Sequence, residues 1–76
     1  MNQKFGVIGL GRFGRSIARK LAAKGAEVMG MDVLQEKVDS VHNDITLAVR
    51  LDSTDKRALE SQNVNDLDVV VIAIGA

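Results

Sequence analysis

Seventy-six residues are enough for one small domain, and 46% hydrophobic with 26% charged residues is the composition of a folded globular chain, which excludes disorder. Ten basic residues balance ten acidic ones and the only aromatics are two phenylalanines, so a nucleic-acid footprint over the whole domain is not supported. Cysteine is absent, which removes disulfides, thiolate metal sites and a cysteine nucleophile.

In chain order, Lys4 to Ile8 reads as a short buried strand ending at Gly9. From Arg12 the period changes to that of a helix. Phe13, Ile17 and Leu21 recur every four residues with Ala18 and Ala22 beside them, while Arg15, Arg19 and Lys20 face elsewhere. Gly25 is the expected C′ stop. Glu27 to Met31 forms a second strand closed by Asp32, and a second helix carries Leu34, Val38 and Val41 on one face, fading near His42 and Asn43. Ile45 to Leu51 is a third strand. "DSTD" (Asp52 to Asp55) then offers several N-caps for a short helix running through Leu59 to Gln62. Asn65-Asp66 is a turn, and "DVVVIAIG" (Asp68 to Gly75) reads as a strand buried on both faces.

The resulting β-α-β-α-β-α-β order with short links predicts an α/β fold: a Rossmann-like, doubly wound parallel sheet with right-handed crossovers. Such a domain ordinarily continues beyond a fourth strand. Residues 1–76 are therefore expected to be the amino-terminal portion of a Rossmann-type nucleotide-binding domain, with the outer edge and one face of the last strand left without a cover.

Gly9-x-Gly11-x-x-Gly14 follows a strand and opens a helix, the context that gives this spacing its meaning. Gly9 permits the tight turn, Gly11 lets backbone approach a pyrophosphate, and Gly14 lets the helix pack close on the sheet. The first amides of the helix have no intrahelical partner, so an anion completes them. The structural alternative is a tight turn and nothing more. Lys4, Arg12, Arg15, Arg19, Lys20 and Lys24 all precede the first acid, Glu27, which favours an anion near the loop. Arg12 and Arg15 stand in the first helical turn, where a guanidinium is disfavoured by the macrodipole unless an anion is near; Arg12 is the stronger candidate phosphate ligand. Arg19, Lys20 and Lys24 read as a solvated helix face.

Asp32, at the end of the second strand and eighteen residues beyond Gly14, is placed to accept hydrogen bonds from ribose hydroxyls and to repel a 2′-phosphate, which disfavours NADP. Its alternative role is to cap the following helix. Asp52 and Ser53, and the segment Ile74-Gly75-Ala76, lie at the carboxyl ends of strands, where ligands bind in open parallel sheets; Asp52 or Ser53 would reach an adenine edge, or cap a helix. His42 is alone and reads as a surface residue. No general acid and base pair, and no metal-ligand spacing, appears.

Together "VIGLGRFGRSIARKL", Asp32 with its short following helix, "LDSTD" and "DVVVIAIGA" resemble the RCK (KTN, TrkA-N) nucleotide-binding domain of potassium channel and transporter regulators, most closely that of the Ktr-type regulatory subunit. The resemblance implies a non-enzymatic sensor of NAD(H) or ATP/ADP at the inner face of the cell membrane. It would form homodimers or higher rings in the full-length protein, gate a potassium-translocating membrane subunit, and meet the membrane only through that partner. It would place phosphates on Gly9, Leu10, Gly11, Arg12, Phe13 and Gly14. Ribose would sit on Asp32 with Val33 and Leu34 beside it, adenine on Asp52 and Ser53, and further contacts on Ile74, Gly75 and Ala76. "GLGRFGR" also looks like the start of an NAD-dependent dehydrogenase, and the amino-terminal half of such an enzyme is the alternative reading. Absence of a signal-peptide core and of an apolar run long enough to span a bilayer fits the cytoplasmic expectation.

Overall fold

A computed structural model describes residues 3–62 and 64–74. Four strands, β1 (Lys4–Ile8), β2 (Glu27–Asp32), β3 (Leu47–Arg50) and β4 (Val69–Ile72), alternate with helices α1 (Arg12–Ala23), α2 (Gln35–Val41) and α3 (Lys56–Ser61). A 3₁₀ turn at Val64–Asp66 replaces the expected simple turn at Asn65-Asp66. The strands make one parallel sheet in the order β3-β2-β1-β4. The chain thus steps outward from β1 through β2 to β3 and then crosses back to the opposite side of β1. Right-handed crossovers in opposite directions send α1 and α2 to one face and α3 to the other, the doubly wound arrangement that the element order implies.

Residues paired across the sheet share a face, so Phe5 and Val7 of β1 lie beside Val28 and Gly30 of β2. Val7 and Val28 are buried there with Leu10, Ala18, Ala26, Val38, Val41 and Ile45, which makes the core the layer beneath α1 and α2. On the reverse face, Met31 is fully buried and its methyl lies with Leu67 over Gly6.

Helix α1 packs by the expected Ile17, Leu21, Ala18 and Ala22, and only Phe13 leaves that stripe. Phe13 is 67% exposed, whereas Gly14 and Ala18 are buried and Ile17, Leu21 and Ala22 lie partly buried against the core. Close approach of α1 to the β1 loop sets this rotation. A Cβ on Gly14 would overlap the Gly9 carbonyl oxygen, so a face bearing glycine and alanine must point inward. The helix ends as expected. Gly25 takes φ 89°, its amide donates to Ala22 and the next amide, of Ala26, donates to Leu21, closing the two carbonyls that a Schellman turn satisfies.

Other expectations shift in extent. β3 begins at Leu47 rather than Ile45, because the side-chain oxygen of Thr46 takes the Val28 amide (3.0 Å) while Ile45 turns into the core. The final strand differs in its faces. Val69, Val70 and Ile72 are 40%, 40% and 71% exposed, so β4 is not buried on both faces, while its outer edge stands open among the described residues, as expected. It is paired on one side, with β1, and α3, which has no buried residue, covers it poorly. Arg19, expected in solvent, ties α1 to the end of α2: Nε donates to Asp44 (2.9 Å) and Nη2 to the Ser40 carbonyl (3.0 Å). His42 is the exposed C-cap of α2.

Candidate functional site: a cleft at the carboxyl ends of the strands

Four strand ends and the loops that leave them meet at one edge of the sheet. Because β1 connects toward β2 while β4 lies on its other side, the loops after β1 and β4 diverge and leave a crevice between them. A cleft of about 380 Å³ occupies this edge. Gly9 and Gly11 line it from the first loop, Asp32, Val33 and Leu34 from the second, Asp52 and Ser53 from the third, and Ile74 from the fourth. The structure therefore brings together eight of the residues singled out in the sequence. Gly75 and Ala76 lie outside the described residues.

The glycine loop is shaped by two steric constraints. Gly9 has φ 97°, and a Cβ there would stand 2.9 Å from the Ala73 carbonyl oxygen. Gly14 must accept the Gly9 carbonyl against its own Cα, as described above. Gly11 is different: among the described residues a methyl group on it would meet only the Lys37 ammonium, at 3.9 Å. Its backbone consequently faces the open cleft. Gly11 is also the N-cap of α1 and offers no side-chain acceptor to the first turn, which carries no acid, so no cap satisfies the amides there.

Leu10 and Gly14 are buried beneath the loop and do not line the cleft. Arg12 and Phe13, in the first turn of α1, are exposed and also lie outside the lining.

Asp32 ties the second strand to this loop. Oδ2 accepts the Leu10 amide (2.8 Å) and Oδ1 accepts the Leu34 amide (2.9 Å). The second contact is a local turn two residues long. It is not an N-cap of α2, whose N-cap is Leu34 with no side-chain hydrogen bond. An ionised carboxylate has about four acceptor sites, so each oxygen retains room for a hydroxyl from a ligand.

Asp52 closes the third loop on itself: Oδ1 accepts both the amide (2.9 Å) and the hydroxyl (2.6 Å) of Thr54. The hydroxyl bond, then the amide bond, hold its carboxyl below the usual range. Capping of α3 falls instead to Asp55, whose Oδ1 takes the Arg57 and Ala58 amides. Oδ2 of Asp52 makes no hydrogen bond among the described residues and remains an acceptor beside the cleft.

Sequence reasoning missed Lys37, Thr54 and Ala73, which also line the cleft. Thr54 was legible as part of "DSTD". Lys37 was not, because on the second helix it reads as one more surface charge.

The family model of the TrkA-N domain matches residues 5–76. The chain belongs to the TrkA-N domain family. Among curated proteins, this TrkA-N chain is 44% identical over 75 residues to Ktr system potassium uptake protein C of Bacillus subtilis (strain 168), an alignment covering 99% of this chain and 34% of that protein. The chain thus spans about a third of that relative. Among solved structures, the Shewanella denitrificans Kef CTD in its AMP-bound form superposes with a TM-score of 0.78 at 28% identity, covering 97% of this chain and 44% of that one. A dipicolinate synthase component from Bacillus halodurans superposes with a TM-score of 0.77 at 28% identity, covering 99% of this chain and 24% of that one. The Rossmann-like fold and the resemblance to Ktr-type domains are both shown by these likenesses. No helix of the described residues is long and apolar enough to cross a membrane.

Proposed function

We propose that this domain is a regulatory module that binds an adenine nucleotide, NAD(H) or ATP/ADP, in the cleft at the carboxyl ends of its strands. In the full-length protein it would pass the state of that ligand to a potassium-translocating membrane subunit. The observation that carries the reading is the joining of Asp32 to the glycine loop. One carboxylate meets the Leu10 amide at 2.8 Å and lines the same cleft as Gly9 and Gly11, and a carboxylate beside an uncapped helix N-terminus supports the pairing of a ribose with a phosphate.

In this reading the amides of Gly11 to Gly14 receive phosphate, with Arg12 as a cation at the same helix end. Asp32 accepts the ribose hydroxyls against a wall of Val33 and Leu34, and Asp52, Ser53 and Ile74 border the base. Names of relatives lend support: one is a component of a potassium uptake system and one solved structure is AMP-bound. The domain acts without catalysis, by population shift: a nucleotide that prefers one arrangement of the assembly, a homodimer or ring, biases the assembly toward it. Its place is the cytoplasm, at the inner face of the membrane through its partner.

Isothermal titration with ATP, ADP, NADH and NADPH tests the reading. The first three bind, and NADPH does not, because Asp32 repels the 2′-phosphate. Asp32→Ala removes hydrogen bonds to a charged acceptor, each worth about 1.5–3 kcal/mol, and so weakens every adenosine ligand about tenfold or more. Unchanged affinity in a folded variant overturns the assignment of Asp32. The fold shared with the dipicolinate synthase component, part of an enzyme by name, favours the second reading, the amino-terminal half of an NAD-dependent dehydrogenase. Substrate-dependent oxidation of NADH by the full-length protein would decide for it.

A further inference from the structure

We infer that Lys37 is the cation that reads the phosphate of the bound nucleotide from within the cleft, a role that rests on the nucleotide reading above. The cleft lining is otherwise ill suited to a phosphate. It contains two carboxylates, Asp32 and Asp52, and among the described residues Lys37 is its only basic side chain. Arg12, to which sequence spacing points, is exposed and outside the lining. Without the lysine, an anionic ligand would enter between two negative groups with no positive charge on the wall to offset them.

Placement of Lys37 is specific. It stands in the first turn of α2, next to Glu36, and lines the cleft opposite the glycine loop. Its ammonium reaches back across the cleft to Gly11, the residue whose backbone opens onto the ligand space, and is, among the described residues, the atom a methyl group there would meet, at 3.9 Å. Among the described residues the ion pairs are Arg19 with Asp44 and Lys56 with Glu60, and Lys37 belongs to neither. The ammonium lies beside a loop of amides, and α2 is held against α1 by Arg19. A phosphate between the α1 amides and Lys37 would be gripped from both sides of the cleft, while the nucleoside rests on Asp32. The geometry therefore makes Lys37 a specificity-determining residue that separates phosphorylated nucleosides from adenosine.

Titration of the full chain with adenosine, AMP and ADP, for the wild type, Lys37→Met and Lys37→Arg, tests this. A charge-assisted hydrogen bond lost to phosphate lowers affinity about tenfold or more. Lys37→Met is expected to weaken AMP and ADP by that factor and leave adenosine unchanged, collapsing the ratio between them, and Lys37→Arg is expected to restore most of the ratio. A merely structural role for Lys37 would weaken all three ligands alike. Equal losses for AMP and adenosine, or no loss for AMP, overturn the inference and leave the nucleotide site standing. A wild-type chain that binds none of the three, nor NADH or ATP, overturns the nucleotide reading and the lysine's role together.

Discussion

Two carboxylates near the cleft occupy similar strand-end positions but have different surroundings. Asp32 spends each oxygen on a backbone amide, Leu10 from a remote loop and Leu34 from its own, and so fastens the glycine loop to β2. Asp52 makes only local bonds, both to Thr54, and these favour its ionised form. The sign of the consequence is set by that direction. A carboxyl depressed in the folded state adds stability that is present above its unfolded value and is lost as pH falls through its folded value. Thr54→Val removes the hydroxyl bond, the larger cause, and keeps the amide bond. The Asp52 titration midpoint, followed by carboxyl carbon NMR, should move upward toward the ordinary carboxylate value without reaching it. A midpoint that does not move would mean that the amide alone holds the group.

At the scale of elements, helix ends decide more than helix interiors. α1 runs twelve residues and is stopped by a glycine in the left-handed region. α3 has six residues, none buried, so neither length nor packing maintains it. What remains is the Asp55 cap on the Arg57 and Ala58 amides. Asp55→Ala should cost about 1 kcal/mol in urea unfolding, the usual value for a lost N-cap, and should fray α3 first in amide exchange. An effect near zero would show that the turn closed by Asp52 and Thr54 is enough to start the helix.

The whole molecule is asymmetric. The face beneath α1 and α2 holds the core, whereas Val70, Ile72 and Leu47 on the other face retain 40%, 71% and 43% of their accessible surface. Contacts that are not made do not stabilise. Ile72→Lys should therefore change the unfolding free energy of this chain by no more than about 0.5 kcal/mol, the range for exposed substitutions, whereas a buried isoleucine replaced by lysine would cost several. A loss above about 2 kcal/mol on urea titration at micromolar concentration would show that Ile72 is covered in solution.

Element order, the parallel sheet, the glycine loop and the acidic end of β2 were legible in the residues, because each depends on local rules: hydrophobic period, turn chemistry, and the need for glycine where backbone is close to backbone. The Gly25 stop was legible for the same reason. Phe13 alone misled: Ile17 and Leu21 of the same period pack on the core, but at the start of the helix the Gly14 contact with Gly9 turns Phe13 outward. The open edge of β4 was expected, but "VVVI" misled about its faces, because an apolar run names a strand and not what covers it. Lys37 could not be found from spacing at all. Sequence by itself determined that this chain would wind into alternating strands and helices with an open loop after the first strand, since those choices are made within a few residues. Only the tertiary structure decided that Asp32 would hold that loop and that a lysine from the second helix would lean over it, because both depend on how far apart two crossovers set their ends.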